Sequence, residues 1–244
     1  MENTLLVALS RQSGLRHQMD VVANNIANMN TTGFKGEKMM FVEHLVRSKG
    51  GESYFGGKVH FSRDIATVRD LTEGPVTQTG NPFDLALGSE GYFVVQTPEG
   101  NRYTRNGRFQ LDQNNQLVTQ NGYPVLSQGG QPFTFGPLDR DISISNDGTV
   151  STAAGALGKV GVVRFEKEYD LRQVGGSMFN TDQDPQPVNR PGVIQGALEG
   201  SNIQPVIEMT RMIEIQRSYE SLSRFIDRED DRLKNMIREY TRAA

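Results

Sequence analysis

Helical patterns at the two ends of the chain constrain its fold more than any other feature. Over residues 1–30, seam positions recur at alternating spacings of three and four, as in a coiled coil. The seam runs through Leu5, Ala8, Gln12, Leu15, Met19, Val22, Ile26 and Met29. Residues 203–242 keep the same rhythm, and Pro205 suits the first turn of a helix. We therefore predict a long helix at each end. Gly33 is suited to a left-handed stop after the first of them.

The glycine-rich middle of the chain predicts short antiparallel strands. "GYFVVQT" is typical of a buried strand, and Asn-Gly and Asp-Gly pairs mark turns. In "YTRNGRFQL", the Asn106-Gly107 pair predicts a two-residue hairpin in which Arg105 faces Arg108. The predicted fold is α+β, with long N- and C-terminal helices paired as a coiled coil and a central, mostly antiparallel β domain inserted between them.

Three domains follow from this division of the chain. Residues 1–35 with 201–244 form the terminal helical domain, and residues 81–185 form a β-rich domain. Residues 36–80 with 186–200 are expected to be an extended or β connecting region, although 39–46 are also compatible with a short helix.

Composition excludes several classes of function. The chain has 244 residues, no cysteine and a net charge of −3, so thiol chemistry, disulfides and a basic nucleic-acid surface are not expected. The histidines share no metal-binding spacing, and no catalytic pattern emerges, so we predict no enzyme activity, cofactor or metal. No apolar run is long enough to insert into a membrane, and the N-terminus does not resemble a secretory signal peptide. Any export is expected to need no cleaved signal.

The lengths of the predicted helices indicate an assembly. A helix of about 37 residues is about 55 Å long, whereas a β domain of about 100 residues has a radius of gyration near 13 Å. Such a domain cannot cover both helices, so neighbouring copies are expected to supply the missing contacts. In that setting Asn24, Asn25 and Asn28 form hydrogen bonds between packed helices or act as turn formers at a helix end. The sequence leaves both alternatives open.

Both ends and the middle of the chain resemble one protein family. "VVANNIANMNTTGFK" and "GALEGSNIQPVIEMTRMIEIQRSYES" resemble the N- and C-terminal signatures of the flagellar axial proteins, the rod and hook subunits of the bacterial basal body. "NPFDLALGSEGYFVVQTPEGNRYTRNGRFQLDQNNQLVTQNGYPVL" resembles the β segment of the larger members. "MENTLLVALSRQ", "ATVRDLTEGPVTQTGNPFDLAL" and the chain length are similar to the proximal rod type, with a distal rod subunit as the alternative.

This resemblance implies a structural role. Subunits of the family are exported through the flagellar type III export apparatus without a cleaved signal. They polymerise with themselves and with other proximal and distal rod subunits into a helical tube in the periplasm. The terminal helices form the inner wall of that tube, which transmits motor torque and passes exported proteins. No nucleic acid and no direct membrane insertion are implied.

The residues expected at the assembly interface lie on the terminal helices. They are Leu5, Leu9, Leu15, Met19, Val22, Asn24, Asn25, Ile26, Asn28, Met209, Met212, Ile213, Gln216, Tyr219 and Ile226. Arg105 and Arg108 are expected either to splay on the surface or to contact acidic groups of an adjacent subunit. Two competing functions, an enzyme or binding module on the β region and a secreted coiled-coil translocator or adhesin, predict a stably folded monomer or small closed oligomer. The axial role predicts ends that order only on assembly.

Overall fold

A computed structural model of the chain describes residues 2–47, 58–136, 139, 141–175 and 177–243. The chain divides into two compact units, each built from separate stretches of sequence. Unit 1 comprises residues 1–27, 37–70 and 203–244, and unit 2 comprises residues 28–36 and 71–202.

Unit 1 contains both terminal helices and a long hairpin. Helix α1 spans Glu2–Ala27 and helix α2 spans Pro205–Ala243, which confirms the two predicted helices. Strands β1 (Glu37–Arg47) and β2 (Lys58–Arg69) pair antiparallel. Helix α1 contacts α2 and both strands of the hairpin. The short helix considered for residues 39–46 is wrong, because a helix of that length is marginal in isolation and the paired ladder satisfies the same backbone groups.

Helix α1 ends at Ala27, before the predicted stop near residue 30. Backbone hydrogen bonds from Thr31 to Asn28 and from Phe34 to Thr31 replace the helix with turns. Gly33 has the expected positive φ of 67°, but it lies beyond the helix. Within unit 2, the backbone of Gly33 packs closely against the backbone of Arg105. A Cβ at Gly33 would lie 2.5 Å from the carbonyl carbon of Arg105, so a glycine is required here.

Unit 2 is built from fifteen short strands in the described part of the chain. They are β3 (Val76–Gln78), β4 (Leu85–Leu87), β5 (Tyr92–Thr97), β6 (Gly100–Thr104), β7 (Phe109–Leu111), β8 (Leu117–Thr119), β9 (Ser143–Ile144), β10 (Thr149–Thr152), β11 (Gly155–Lys159), β12 (Val162–Arg164), β13 (Arg172–Val174), β14 (Met178–Asn180), β15 (Gln186–Pro187), β16 (Val193–Gln195) and β17 (Ala197–Glu199). The pairings among them are antiparallel, as predicted.

A six-stranded sheet in the order β13-β14-β6-β5-β12-β15 organises the core of unit 2. Alternate side chains of β5 enter two different apolar clusters, because successive residues of a strand point to opposite faces. Phe93 and Val95 join the larger cluster, whereas Tyr92 joins a second cluster with Tyr103 and Phe179. Both faces of this strand are therefore covered, as its apolar sequence predicts.

The hairpin predicted at Asn106-Gly107 is wrong. Strand β6 ends at Thr104 and pairs with β5 and β14, whereas β7 pairs with β8. The turn between them is held instead by Leu85, whose N–H donates to the Gly107 carbonyl at 2.9 Å. A Cβ at Gly107 would lie 1.7 Å from the Leu85 carbonyl oxygen, so this glycine is required by a long-range contact. Arg105 therefore does not face Arg108 across a ladder.

Candidate assembly site

Helix α2 has a buried face and an exposed apolar stripe on different sides. Glu208 and Ile215 are separated by two helical turns and are both buried. Val206, Met209 and Ile213 follow the i, i+3, i+7 spacing of a single helix face, and they are exposed by 77, 46 and 51%. Large apolar side chains arranged in this way leave a hydrophobic surface that unit 1 does not cover.

The predicted interface residues of helix α1 differ in how deeply they are buried. Val22 and Asn25 are buried, and Leu9 and Asn24 are exposed. The rest are half-buried: Leu5, Leu15, Met19, Ile26 and, in the turn after the helix, Asn28. On α2, three of the predicted residues are exposed, namely Met209, Ile213 and Gln216. The other three are half-buried, namely Met212, Tyr219 and Ile226.

Sequence reasoning missed several exposed apolar side chains. Leu6 on α1, and Val206 and Ile237 on α2, are each more than half exposed. The signal for Val206 was available, because it precedes Met209 by three positions and Ile213 by seven and so continues their stripe.

The side-chain amide of Asn25 holds the start of the hairpin within unit 1. Its Oδ1 accepts a hydrogen bond from the Glu37 N–H at 3.0 Å, and its Nδ2 donates to the Glu37 carbonyl at 2.9 Å. The same Nδ2 donates to Oε2 of Glu208 at 3.3 Å. One asparagine thus connects α1, β1 and α2, and the residue is 2% exposed. A hydrogen bond across packed elements, rather than a role in a turn, explains this asparagine.

Glu208 belongs to the same buried polar group of unit 1 as Asn25 and Glu37. Its second carboxylate oxygen, Oε1, accepts a hydrogen bond from Nη1 of Arg211 at 2.6 Å. The pair lies one helical turn apart at the N-terminal end of α2, where a carboxylate also interacts favourably with the helix dipole. Both oxygens of a buried carboxylate are therefore satisfied.

A second buried polar group lies in unit 2 and is centred on Glu199. Oε1 of Glu199 accepts hydrogen bonds from Nζ of Lys35 at 2.6 Å and from the Gly74 N–H at 3.1 Å. Oε2 accepts from Nη1 of Arg105 at 3.2 Å. The Lys35 ammonium also donates to the Thr72 carbonyl at 2.7 Å. Side-chain exposures of 2, 1 and 5% for Lys35, Glu199 and Arg105 place both ion pairs in the interior.

The geometry corrects the interpretation of the two arginines. Arg105 is not a splayed surface residue, because it is buried and its guanidinium lies 5.7 Å from the ring centroid of Tyr92 as well as beside Glu199. Arg108 is exposed, as expected. The two side chains, although close in sequence, have different environments.

Comparisons with known proteins identify the family. Residues 5–35 match the profile described as "Flagella basal body rod protein", residues 86–152 match "Flagellar hook protein FlgE/F/G D1 domain", and residues 194–239 match "Flagellar basal body rod FlgEFG protein C-terminal". The chain is 44% identical over 230 residues to the flagellar basal-body rod protein FlgF of Caulobacter vibrioides, covering 93% of each chain.

Two further relatives are also flagellar basal-body rod proteins. The FlgF protein of Mesorhizobium japonicum is 35% identical, over 91% of this chain and 90% of its own. The FlgG rod protein of Bacillus subtilis is 31% identical, over 97% of this chain and 98% of its own. The chain belongs to the flagellar basal-body rod protein family. This family is structural and not enzymatic.

The three profile matches in this rod protein include the charged residues of the group centred on Glu199, together with Asn25 and Glu208 of the group in unit 1. Asn25 and Lys35 lie in the N-terminal match, Arg105 lies in the D1 match, and Glu199 and Glu208 lie in the C-terminal match. Each matched segment therefore contributes one charged residue to the group centred on Glu199.

Among its described residues, the rod protein has no cluster of histidine, aspartate and glutamate able to hold a metal ion. Within the same part of the chain, neither helix combines the length and the apolar composition required to cross a bilayer. The sequence from Asp112 to Gln116 resembles the start of a calcium-binding loop. In the structure Asp112 forms a turn instead, because its Oδ1 accepts hydrogen bonds from the N–H groups of Asn114 and Gln116.

Proposed function

We propose that this chain is a structural subunit of the bacterial flagellar rod, of the proximal rod type, which assembles with copies of itself and with other rod proteins into a helical tube. The exposed apolar stripe of Val206, Met209 and Ile213 carries this proposal. A heterologous contact that does not close generates a helical polymer, and a stripe distinct from the buried face of α2 provides such a contact.

The dimensions of unit 1 support the same proposal. Helix α2 has 39 residues and helix α1 has 26. At 1.5 Å per residue these helices are about 58 Å and about 39 Å long, so α1 cannot cover α2 over its full length. Pairing of the terminal helices as a coiled coil, together with helices of neighbouring subunits, would bury the remaining apolar surface. The predicted interface residues on both helices belong to this arrangement.

The division into a terminal helical domain, a connecting region and an outer β domain belongs to the same proposal. The terminal helices line the tube, and the β region faces outward and stiffens the rod that transmits motor torque. The tube lies in the periplasm and passes exported proteins. The subunit reaches it through the type III export apparatus without a cleaved signal peptide. The 44% identity to a FlgF protein over nearly the whole chain favours the proximal rod over a distal rod subunit.

The test replaces one exposed apolar residue by a charge. Ile213→Asp places a carboxylate in the proposed contact, where its desolvation opposes assembly. Because Ile213 is half exposed in the isolated subunit, the variant should fold, and circular dichroism and thermal unfolding check this. We expect loss of motility and loss of the chain from isolated basal bodies.

Ser221→Asp is the matched control, because Ser221 is exposed on the same helix but lies outside the stripe. It adds the same charge and should leave motility and incorporation unchanged. A motile Ile213→Asp strain with the chain in its basal bodies at the normal level would refute the proposed role of the stripe.

A further inference from the structure

A cleft of about 190 Å³ lies within unit 2 between two turns of the β region. Asn106 and Arg108 line it from the turn between β6 and β7. Gln120 and Asn121 line it from the turn that follows β8. The cleft contains none of the buried charged groups described above, so it is a separate feature of the surface.

The backbone that carries Arg108 is held in place by several contacts. Gly107 packs against Leu85 too closely for any side chain, and its carbonyl accepts the Leu85 N–H. Oδ1 of Asn106 accepts a hydrogen bond from the Arg108 N–H at 3.0 Å. On the other side, the Gly122 N–H donates to the Thr119 carbonyl at 2.9 Å. The cleft therefore lies between two turns whose backbones are held in place.

The polar groups of the cleft lack partners of opposite charge. Among the described residues that line it, none is acidic and Arg108 is the sole charged one. In the part of the chain that the structure describes, the Arg108 guanidinium forms no hydrogen bond or ion pair, and neither do the amides of Gln120 and Asn121. Arg105, in contrast, is bound by Glu199. The cleft thus presents one positive charge and several N–H donors.

We propose that the cleft receives the carboxylate of an aspartate or glutamate side chain from an adjacent rod subunit. A guanidinium binds a carboxylate through two parallel N–H bonds, and neighbouring amide N–H groups can complete the site. Charge complementarity supports this occupant, because the described lining of the cleft carries one positive charge and no acidic side chain, whereas the chain as a whole is acidic, with 29 acidic and 26 basic residues. This inference rests on the proposed function and adds a specific contact of unit 2 to the contacts of the helices.

Site-specific cross-linking identifies the occupant. A photoreactive amino acid is introduced at Gln120, which is exposed at the cleft, and basal bodies are isolated after irradiation of living cells. Mass spectrometry is expected to find a cross-link to a peptide of a second subunit that contains an aspartate or glutamate. Cross-links confined to the same subunit, or to a segment without a carboxylate, overturn the proposal. Basal bodies of wild-type cells that lack the chain would instead refute the proposed function itself.

Charge reversal then tests the interaction. Arg108→Glu is compared with Arg172→Glu, which reverses another exposed arginine of unit 2 away from the cleft. We expect Arg108→Glu to lower the amount of the chain retained in salt-washed basal bodies about tenfold or more, because a hydrogen bond to a charged group is lost. Arg172→Glu should retain the wild-type amount.

Replacing the cross-linked carboxylate of the partner by arginine should restore retention of Arg108→Glu, because the charges are then exchanged. Equal retention of the two arginine variants, or failure of the exchange to restore binding, overturns the proposal. Thermal unfolding of both purified variants confirms that each one folds.

Discussion

Lys35 and Glu199 form a buried ion pair with an Nζ–Oε1 distance of 2.6 Å, although 164 positions separate them in the sequence. The pair joins the segment that follows α1 to the last strand before α2, both within unit 2. Arg105 adds a second cation to the same carboxylate. Glu199 is therefore the residue on which this polar group depends.

Removing the charge of Glu199 should destabilise unit 2 strongly. Glu199→Gln leaves two buried cations without a counter-charge, and breaking a buried ion pair in this way costs about 3–5 kcal/mol. Urea unfolding of the purified chain measures the effect. Glu73→Gln, at an exposed glutamate of the same unit, is the control and should change the free energy of unfolding by less than about 0.5 kcal/mol.

Lys35→Met tests the contribution of one cation to this group, in which two cations share one carboxylate. This substitution removes one of two cations and leaves Arg105 paired with Glu199, so the remaining group is neutral. We expect a loss of about 1–2 kcal/mol, smaller than that of Glu199→Gln, because what is lost is mainly hydrogen bonding. A larger loss for Lys35→Met than for Glu199→Gln would show that the description of the group is wrong.

Asn25→Ala should weaken unit 1. It leaves the N–H and carbonyl of Glu37 and one oxygen of Glu208 without their side-chain partner, and an orphaned buried polar group costs about 1–3 kcal/mol. Hydrogen exchange should report faster opening of β1. Ser13→Ala, at an exposed polar residue of the same helix, is the control and should leave exchange in β1 as it is in the wild-type chain. Unchanged exchange in Asn25→Ala would contradict the role assigned to the amide.

Comparing Gly33→Ala with Gly80→Ala separates the cost of a steric clash from the cost of a left-handed backbone conformation. Gly33 and Gly80 have similar positive φ values of 67° and 75°. A Cβ at Gly80 meets nothing within 4 Å, whereas one at Gly33 lies 2.5 Å from Arg105. Gly80→Ala should therefore cost about 1 kcal/mol from the left-handed conformation alone. Gly33→Ala should cost clearly more in thermal unfolding, and equal losses would argue against the close contact.

Tyr103 should make unit 2 sensitive to alkaline pH. Burial raises the pKa of its phenol, and the charge of Arg102 only partly opposes this. The folded state favours the neutral phenol, so its contribution to stability is complete below the unfolded pKa of about 10 and is lost as pH rises through the folded value. Tyr103→Phe should show a smaller loss of stability above pH 10 when urea unfolding is repeated across pH. An identical pH profile for the two chains would contradict this role.

The sequence predicted the elements that depend on local signals. The spacing of apolar residues and Pro205 identified α2, and Asp147-Gly148 correctly marked the turn between β9 and β10. These features are encoded within a few residues, so periodicity and turn chemistry reveal them.

Long-range contacts explain where prediction failed. Asn106-Gly107 carries a strong hairpin signal, but the pairing of Phe179 with Tyr103 and the contact of Gly107 with Leu85 determine the local fold. The partners of Asn25 lie 12 and 183 positions away, beyond the range of any local pattern. Glu199 did leave a signal, since a glutamate directly after Ala197 and Leu198 in a strand suggests a paired, buried charge.

The most direct test of the account compares the free subunit with the assembled rod. Among the side chains that the structure describes in unit 1, just three apolar residues are buried, namely Ala8, Val22 and Ile215, whereas unit 2 has two apolar clusters. Unit 1 should therefore be weakly stable without neighbours, and its helices should open more often in the free chain than in the assembled rod.

Limited proteolysis followed by mass spectrometry makes this comparison. In the purified chain we expect rapid loss of α1 and α2 and a resistant fragment close to residues 71–202; in isolated basal bodies the same helices should be protected. Helices that resist the protease equally in the free chain and in basal bodies would contradict assembly through the ends of the chain.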